Sequence, residues 1–178
     1  MRPIFRWVEG CLFPDECKQI IDECTPDLES GGFANEEKRV FKSLTRKCNV
    51  SWVSEGSPLD PLMFRLVDIF IKETKEHYNI PLSRVEAIQF TDYPLLGHYK
   101  MHSDSGEGDV STRIMSASVQ LSDPSEYSGG DLKMYFGRKG LKSPKGLGMM
   151  TIFPSIVQHK VTPLYRGRRR SLVMWGHM

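Results

Sequence analysis

The chain has no apolar run approaching the roughly 20 residues that a membrane-spanning helix requires, and its Met1-Arg2-Pro3 opening lacks the apolar core of a secretion signal. Cysteine is scarce: Cys11, Cys17, Cys24 and Cys48 all lie in the first third and none stands at C-x-x-C spacing. That usage argues against disulfides and is the pattern of a reduced, cytoplasmic protein without membrane attachment. Neither charge is in excess. The 24 Lys and Arg face 22 Asp and Glu, a formal net charge of +2, which gives no electrostatic case for nucleic acid or a membrane surface. Repeats and low-complexity tracts are absent, and 178 residues suffice for one domain that needs no disulfide or structural metal to stay folded.

What is present falls into two textures. Pro14-Asp15-Glu16 followed by Cys17, Ile20, Ile21 and Cys24 predicts a helix with acidic residues in its first turn and one apolar face. Residues 28–38, with Gly31-Gly32 and mixed charge, read as a loop. Cys48–Val53 alternates as a strand does. Asp60-Pro61 opens a second helix with a stripe of Met63, Val67, Phe70 and Ile71 against a wet side of Lys72, Lys75 and Glu76. After Asn79 the helical period gives way to short β-branched and aromatic runs: Val85–Tyr93, Gly97–His102, Thr112–Leu121, Asp131–Phe136, Gly148–Phe153, Gln158–Leu164 and Arg169–Trp175. Seven such strands predict a sandwich or a closed, barrel-like sheet.

Within the second texture, His102-Ser103-Asp104 places an imidazole and a carboxylate at i and i+2, on one face of an extended strand. Alone the pair is weak, because a histidine bonded to a nearby carboxylate is common. A non-haem Fe(II) oxygenase uses two imidazoles and one carboxylate, leaving adjacent positions for cosubstrate and oxygen, so a second histidine is needed. His77 sits near a helix end, His98 is poorly phased and His177 is next to last; His159, opening a late strand after a proline turn, has the best local context. Ten residues on, Arg169 starts the last strand with Ser171 and Val173 on its own face. A guanidinium fork there suits the distal carboxylate of 2-oxoglutarate.

The segments HSD, LSDPSEYSGGDL and KGLGMMTIFPSIVQHKVTPLYRGRRRSLVMW, in that order between Val85 and Trp175, resemble the iron- and 2-oxoglutarate-dependent dioxygenases of the prolyl 4-hydroxylase type. The resemblance implies a mainly β (α+β) double-stranded β-helix, a cupin-like jelly roll, over residues 81–178, with supporting helices in 1–80 of a single domain. It implies Fe(II), 2-oxoglutarate as cosubstrate, O2 and, as an accessory, ascorbate. By residue it makes His102, Asp104 and His159 the catalytic iron ligands, Arg169 the anchor of the cosubstrate's distal carboxylate with Tyr93 and, more weakly, Ser171 as helpers, and Tyr99 and Arg113 substrate-side residues. The activity implied is hydroxylation of a C–H bond, foremost in prolyl residues of a peptide or protein, coupled to decarboxylation of 2-oxoglutarate to succinate. A free amino acid or small molecule is the variant substrate. A nucleic-acid demethylase shares the triad but usually carries a second arginine six residues after the first, where this chain has Trp175. A non-enzymatic cupin-like module is the remaining rival. Loops 28–38 and 103–112 are the expected lids. Arg166, Arg168 and Arg170 read as a solvated basic rim, Gly129-Gly130 as a corner, Met149, Met150 and Trp175 as core, and Tyr93 and Tyr99 equally as ordinary strand aromatics.

Overall fold

The computed structural model describes residues 5–30 and 44–178; the rest of the expected lid at 28–38 lies outside the described residues. In chain order the elements are β1 (Arg6–Val8), α1 (Pro14–Cys24), β2 (Glu29–Ser30), β3 (Arg46–Lys47), β4 (Asn49–Trp52), α2 (Asp60–Tyr78), β5 (Arg84–Val85), β6 (Gln89–Tyr93) and β7 (His98–His102). They continue with β8 (Met115–Gln120), β9 (Ser128–Gly129), β10 (Leu132–Phe136), β11 (Lys139–Lys142), β12 (Met150–Pro154), β13 (Gln158–Val161), β14 (Leu164–Arg166) and β15 (Arg169–His177).

The helices start and stop where the sequence places them. Pro14 costs α1 nothing in its first turn, where the backbone N–H has no partner to lose, and Glu16 reaches back to accept the Phe13 N–H at 2.8 Å. Asn79 ends α2 in the left-handed region, φ 57°, which asparagine tolerates, and donates its N–H to the Lys75 carbonyl at 3.1 Å. The buried stripe of α2 is Met63, Leu66, Phe70, Thr74 and Tyr78, with Val67 and Ile71 at its half-buried margin. The expected stripe was rotated by about one position because Val67 and Ile71 are as apolar as the residues that face inward.

All strand pairings are antiparallel. One sheet runs β1-β12-β8-β15-β6-β4-β2, with β5 on the far end of β15; a second runs β11-β10-β13-β7-β3; β14 and β9 form a separate ribbon. Sequence reasoning joined β5 to β6. Val85 opposes Gly176 and Gln89 opposes Val173, so four residues on one strand span three on the other, and the ladder breaks at that bulge. Strands β1, β2 and β3 show that the first 80 residues supply sheet edges as well as helices. Gly129 and Gly130 do turn the chain, at φ 75° and 60°; a Cβ on Gly129 would stand 2.1 Å from the Pro163 carbonyl oxygen.

Strand alternation divides the larger sheet into two working faces. Phe90, Met115, Ala117, Val119, Met150, Ile152, Leu172 and Met174 pack with Met63, Leu66, Phe70 and Tyr78 of α2 in one buried cluster. The alternate residues Gln89, Tyr93, Ser118, Phe153, Arg169, Ser171, Val173 and Trp175 turn to a cavity that the second sheet lines with Tyr99, His102, Leu132, His159 and Val161. Burying each large aliphatic residue of the first face contributes about 1.5–3 kcal/mol, so the helices hold the sheet flat against them and leave its other face for chemistry. Phe70→Ala, at a fully buried position, is expected to lower stability by about 3–5 kcal/mol in urea denaturation; a loss below about 1 kcal/mol would contradict the packing.

Candidate active site

The centre of the cavity is made by one strand pairing. β7 and β13 run antiparallel with His102 directly opposite His159, which brings their ring centroids to 4.2 Å. Nδ1 of His102 lies 2.8 Å from the Lys100 carbonyl oxygen and Nδ1 of His159 lies 2.9 Å from that of Val157. A carbonyl only accepts, so each neutral ring carries its proton on Nδ1 and presents a lone pair at Nε2. Both Nε2 atoms face the same Asp104 oxygen at 3.6 Å.

Asp104 lies just past the end of β7 and is pinned from behind. Its backbone N–H donates to the Ser155 carbonyl at 2.9 Å, the Ser105 N–H to the same oxygen at 3.1 Å, and the Ser155 hydroxyl bonds that of Ser116 at 2.9 Å. The 3.6 Å separations are long for hydrogen bonds. Donors each about 2.1 Å from a shared cation lie roughly 3–3.4 Å apart, so the spacing fits a coordination shell better than a bonded pair. Burial opposes ionisation of Asp104, but the imidazoles of His102 and His159, when protonated, and the Ser116 hydroxyl outweigh it and hold its pKa down at about 2. Burial also lowers the pKa of His159, keeping its lone pair free at neutral pH. The three ligand atoms lie within 4.8 Å of one another. Among the described residues one other such group exists, Glu73, Glu76 and His77 on α2, remote from this pocket.

The far end of the cavity holds a buried guanidinium. Arg169, 3% exposed, opposes Tyr93 across β6 and β15 and lies 5.4 Å from its ring centre. One of its Nη groups donates to Gln120 Oε1 at 2.7 Å, and Gln120 Nε2 donates to the Tyr127 hydroxyl at 2.5 Å. Among the described residues no carboxylate pairs with it, although Arg168 and Arg170 beside it both reach Asp92. A buried cation without a counter-charge is costly, and this one faces the space into which an anionic ligand would enter. Burial pushes the Tyr93 phenol well above its usual range, so it stays protonated and able to donate.

The remaining expected residues line the same cavity, of about 500 Å³. Tyr99 stacks on His102 with centroids 3.6 Å apart. Arg113 spends its fork on Glu86, at 2.7 and 2.6 Å, and lies 4.0 Å above the Trp175 ring. Ser171 is buried on the wall. Ser103, Asp104 and Val110 of loop 103–112 line the cavity. Two readings change. Trp175 is a cavity wall, because it shares the alternation of Arg169, Ser171 and Val173. Arg170 is drawn from the expected rim to the buried Asp92 of β6, at 3.3 Å, whereas Arg168 stays exposed at that rim while gripping the same carboxylate with nitrogens at 3.1 and 2.6 Å. Sequence reasoning missed Gln120, Tyr127, Trp52 and Arg46. Gln120 was findable, since it continues the alternation of Ser116 and Ser118; Arg46 precedes any periodic run and gave no signal.

A jelly roll with two imidazoles, a carboxylate and a buried guanidinium around one cavity defines the non-haem iron oxygenase class. Residues 88–177, half of the chain, match the 2OG-Fe(II) oxygenase superfamily, and the chain belongs to that family. Fe(II), 2-oxoglutarate and O2 are the cofactors of that family. A PKHD-type hydroxylase of Nitrosomonas europaea is 41% identical over 87 residues, 44% of this chain and 37% of that protein. The chain spans about two fifths of the length of the curated relatives it matches first. In fold it is similar to a Pseudomonas putida prolyl-4-hydroxylase, with a TM-score of 0.78 at 20% identity over 98% of this chain and 92% of that one. A Trichoplax adhaerens prolyl hydroxylase, solved with a peptide fragment of the hypoxia inducible factor oxygen degradation domain, gives 0.77 at 17% over 98% and 83%.

The donor geometry predicts that the purified protein binds one Mn(II), a redox-silent stand-in, and that Asp104→Ala or His159→Ala weakens binding by about 100-fold or more in a calorimetric titration. Equal affinity in either variant would contradict the site.

Proposed function

We propose that the chain is an Fe(II)- and 2-oxoglutarate-dependent dioxygenase that hydroxylates a C–H bond of prolyl residues in a peptide or protein. The observation that carries the reading is the meeting, in one cavity, of three metal-type donors with a buried guanidinium that no carboxylate among the described residues neutralises. His102, His159 and Asp104 would hold Fe(II), which with 2-oxoglutarate and O2 would supply the oxidising power for an unactivated C–H bond. The chain's own residues do the rest. The Nδ1–carbonyl bonds fix the two imidazole planes, Arg169 takes the distal carboxylate of the cosubstrate, and Gln120 holds that guanidinium in place. Tyr93 donates from its protonated hydroxyl and Ser171 adds a second short donor. The charges close: a dication, one carboxylate, a dianionic cosubstrate and Arg169 cancel. Phe153, Leu132, Val161 and Val173 keep the interior dry, which protects the reaction from wasted oxidation.

On the substrate side, Tyr99, Trp52 and Trp175 offer aromatic walls suited to an apolar ring, and Arg113 is held rigid by Glu86. The names of the relatives and the peptide in one neighbouring structure support a prolyl, peptide-borne substrate over a free amino acid. The demethylase alternative loses support because the second arginine it would need six residues after Arg169 is Trp175 here, and Arg168 to Arg170 are engaged elsewhere. Arg166 donates to the Ser125 carbonyl, Arg168 and Arg170 hold Asp92, and Arg169 is buried. Residues 1–178 are read as one dioxygenase domain. Four buried free cysteines support a cytoplasmic setting, and among the described residues no helix is long and apolar enough to cross a membrane.

A succinate-release assay with Fe(II) across proline-containing peptides, proteins and free amino acids is expected to show turnover stimulated by a peptide; stimulation by a free amino acid alone would overturn the substrate class. His102→Ala and His159→Ala are expected to abolish succinate formation. Arg169→Ala is expected to raise the half-saturating 2-oxoglutarate concentration by about 10- to 150-fold, the worth of a charge-assisted bond.

A further inference from the structure

One charged group on the cavity wall remains without an assignment. Arg46 comes from β3, directly opposite Tyr99 of β7, and its guanidinium carbon lies 4.8 Å from the Tyr99 ring centre. That ring in turn stacks on His102. Three planar groups are thus layered outward from the metal-type donors, and the outermost is a cation lining the cavity.

Its partners are a sulfur and an amide: Nε donates to Cys48 Sγ at 2.8 Å and one Nη to Gln89 Oε1 at 2.9 Å. A guanidinium has five N–H donors, so the fork is only partly used. Among the described residues the neighbouring arginines all have a carboxylate or are the cosubstrate anchor: Arg113 has Glu86, and Arg168 and Arg170 share Asp92. Arg46 has none. The charges of the metal, its carboxylate ligand, the cosubstrate and Arg169 would already cancel, so among the described groups Arg46 is a net positive charge on the cavity wall, where a partly buried cation gains from an anion.

We infer that Arg46 anchors a carboxylate of the substrate, so that the substrate presents an acidic group beside the carbon that is hydroxylated. The carboxylate is an Asp or Glu side chain next to the prolyl residue, or the free C-terminus of a terminal proline. This rests on the hydroxylase reading above and narrows its substrate.

The test uses matched peptides and two readouts. Proline peptides flanked by Asp or Glu are paired with their Asn or Gln counterparts, and peptides ending in proline free acid are paired with the amide. In the Fe(II)-loaded protein at least one acid form is expected to exceed its neutral partner about tenfold or more in kcat/KM, and the pair that does so identifies the source of the carboxylate. Arg46→Met is expected to bring the ratio to about one and Arg46→Lys to retain part of it. Ratios near one for every pair in the wild-type protein, or a preference that survives Arg46→Met, overturn the inference. Calorimetric titration of the same pairs into protein loaded with Mn(II) and 2-oxoglutarate reads the preference without turnover. Acid-selective binding with no hydroxylation sinks the prolyl hydroxylase reading and keeps the Arg46 assignment; equal binding within the pairs, or binding of neither member, sinks the assignment.

Discussion

The pairing of β7 with β13, His102 against His159, is the contact on which the site depends. Both histidines arrive on strands whose register is fixed by backbone hydrogen bonds, so their separation is set before any metal is present. A slip of one residue in either strand would turn its imidazole to the opposite face. Asp104 adds a third donor from beyond the strand end, and its position is held from β12's end through Ser155. The site is therefore a property of the sheet rather than of a flexible loop, which favours a coordination geometry formed in advance.

The same logic governs the far end of the cavity, around Arg169. β15 is the central strand of the larger sheet, paired with β8 on one side and β6 on the other. Its alternation sends Leu172 and Met174 into the helix-packed core and Arg169, Ser171, Val173 and Trp175 into the cavity. The neighbouring arginines grip Asp92, opposite Arg170 on β6, and so fasten the strand at the point where Arg169 turns inward. One run of five residues, RGRRR, supplies both the clamp and the inward cation, with alternation deciding which arginine does which.

That division explains what the sequence could and could not tell. The helices were legible because Pro14, Asp60-Pro61 and Asn79 carry boundary chemistry of their own. Strands β6, β7, β8, β10, β12, β13 and β15 were legible from β-branched runs between turn residues while β9, β11 and β14 were not, and the four residues His102, Asp104, His159 and Arg169 were legible from their types, order and local context. Two-residue strands such as β2, β3 and β9 have no period to read. Trp175 was misplaced because an indole on a buried strand looks the same whether it faces core or cavity. The pairing of Arg168 with Asp92 was missed because the partner lies 76 residues earlier. Arg46 is the extreme case: its meaning comes wholly from the strand it pairs with.

The central claim is that one cation bound by His102, His159 and Asp104 and a 2-oxoglutarate gripped by Arg169 share a single cavity. Anomalous diffraction from crystals soaked with Mn(II) and 2-oxoglutarate tests it most directly. The account predicts one strong peak between the two Nε2 atoms and the Asp104 carboxylate, with the far carboxylate of the cosubstrate on the Arg169 guanidinium. A peak elsewhere, or a cosubstrate that leaves Arg169 empty, would contradict it.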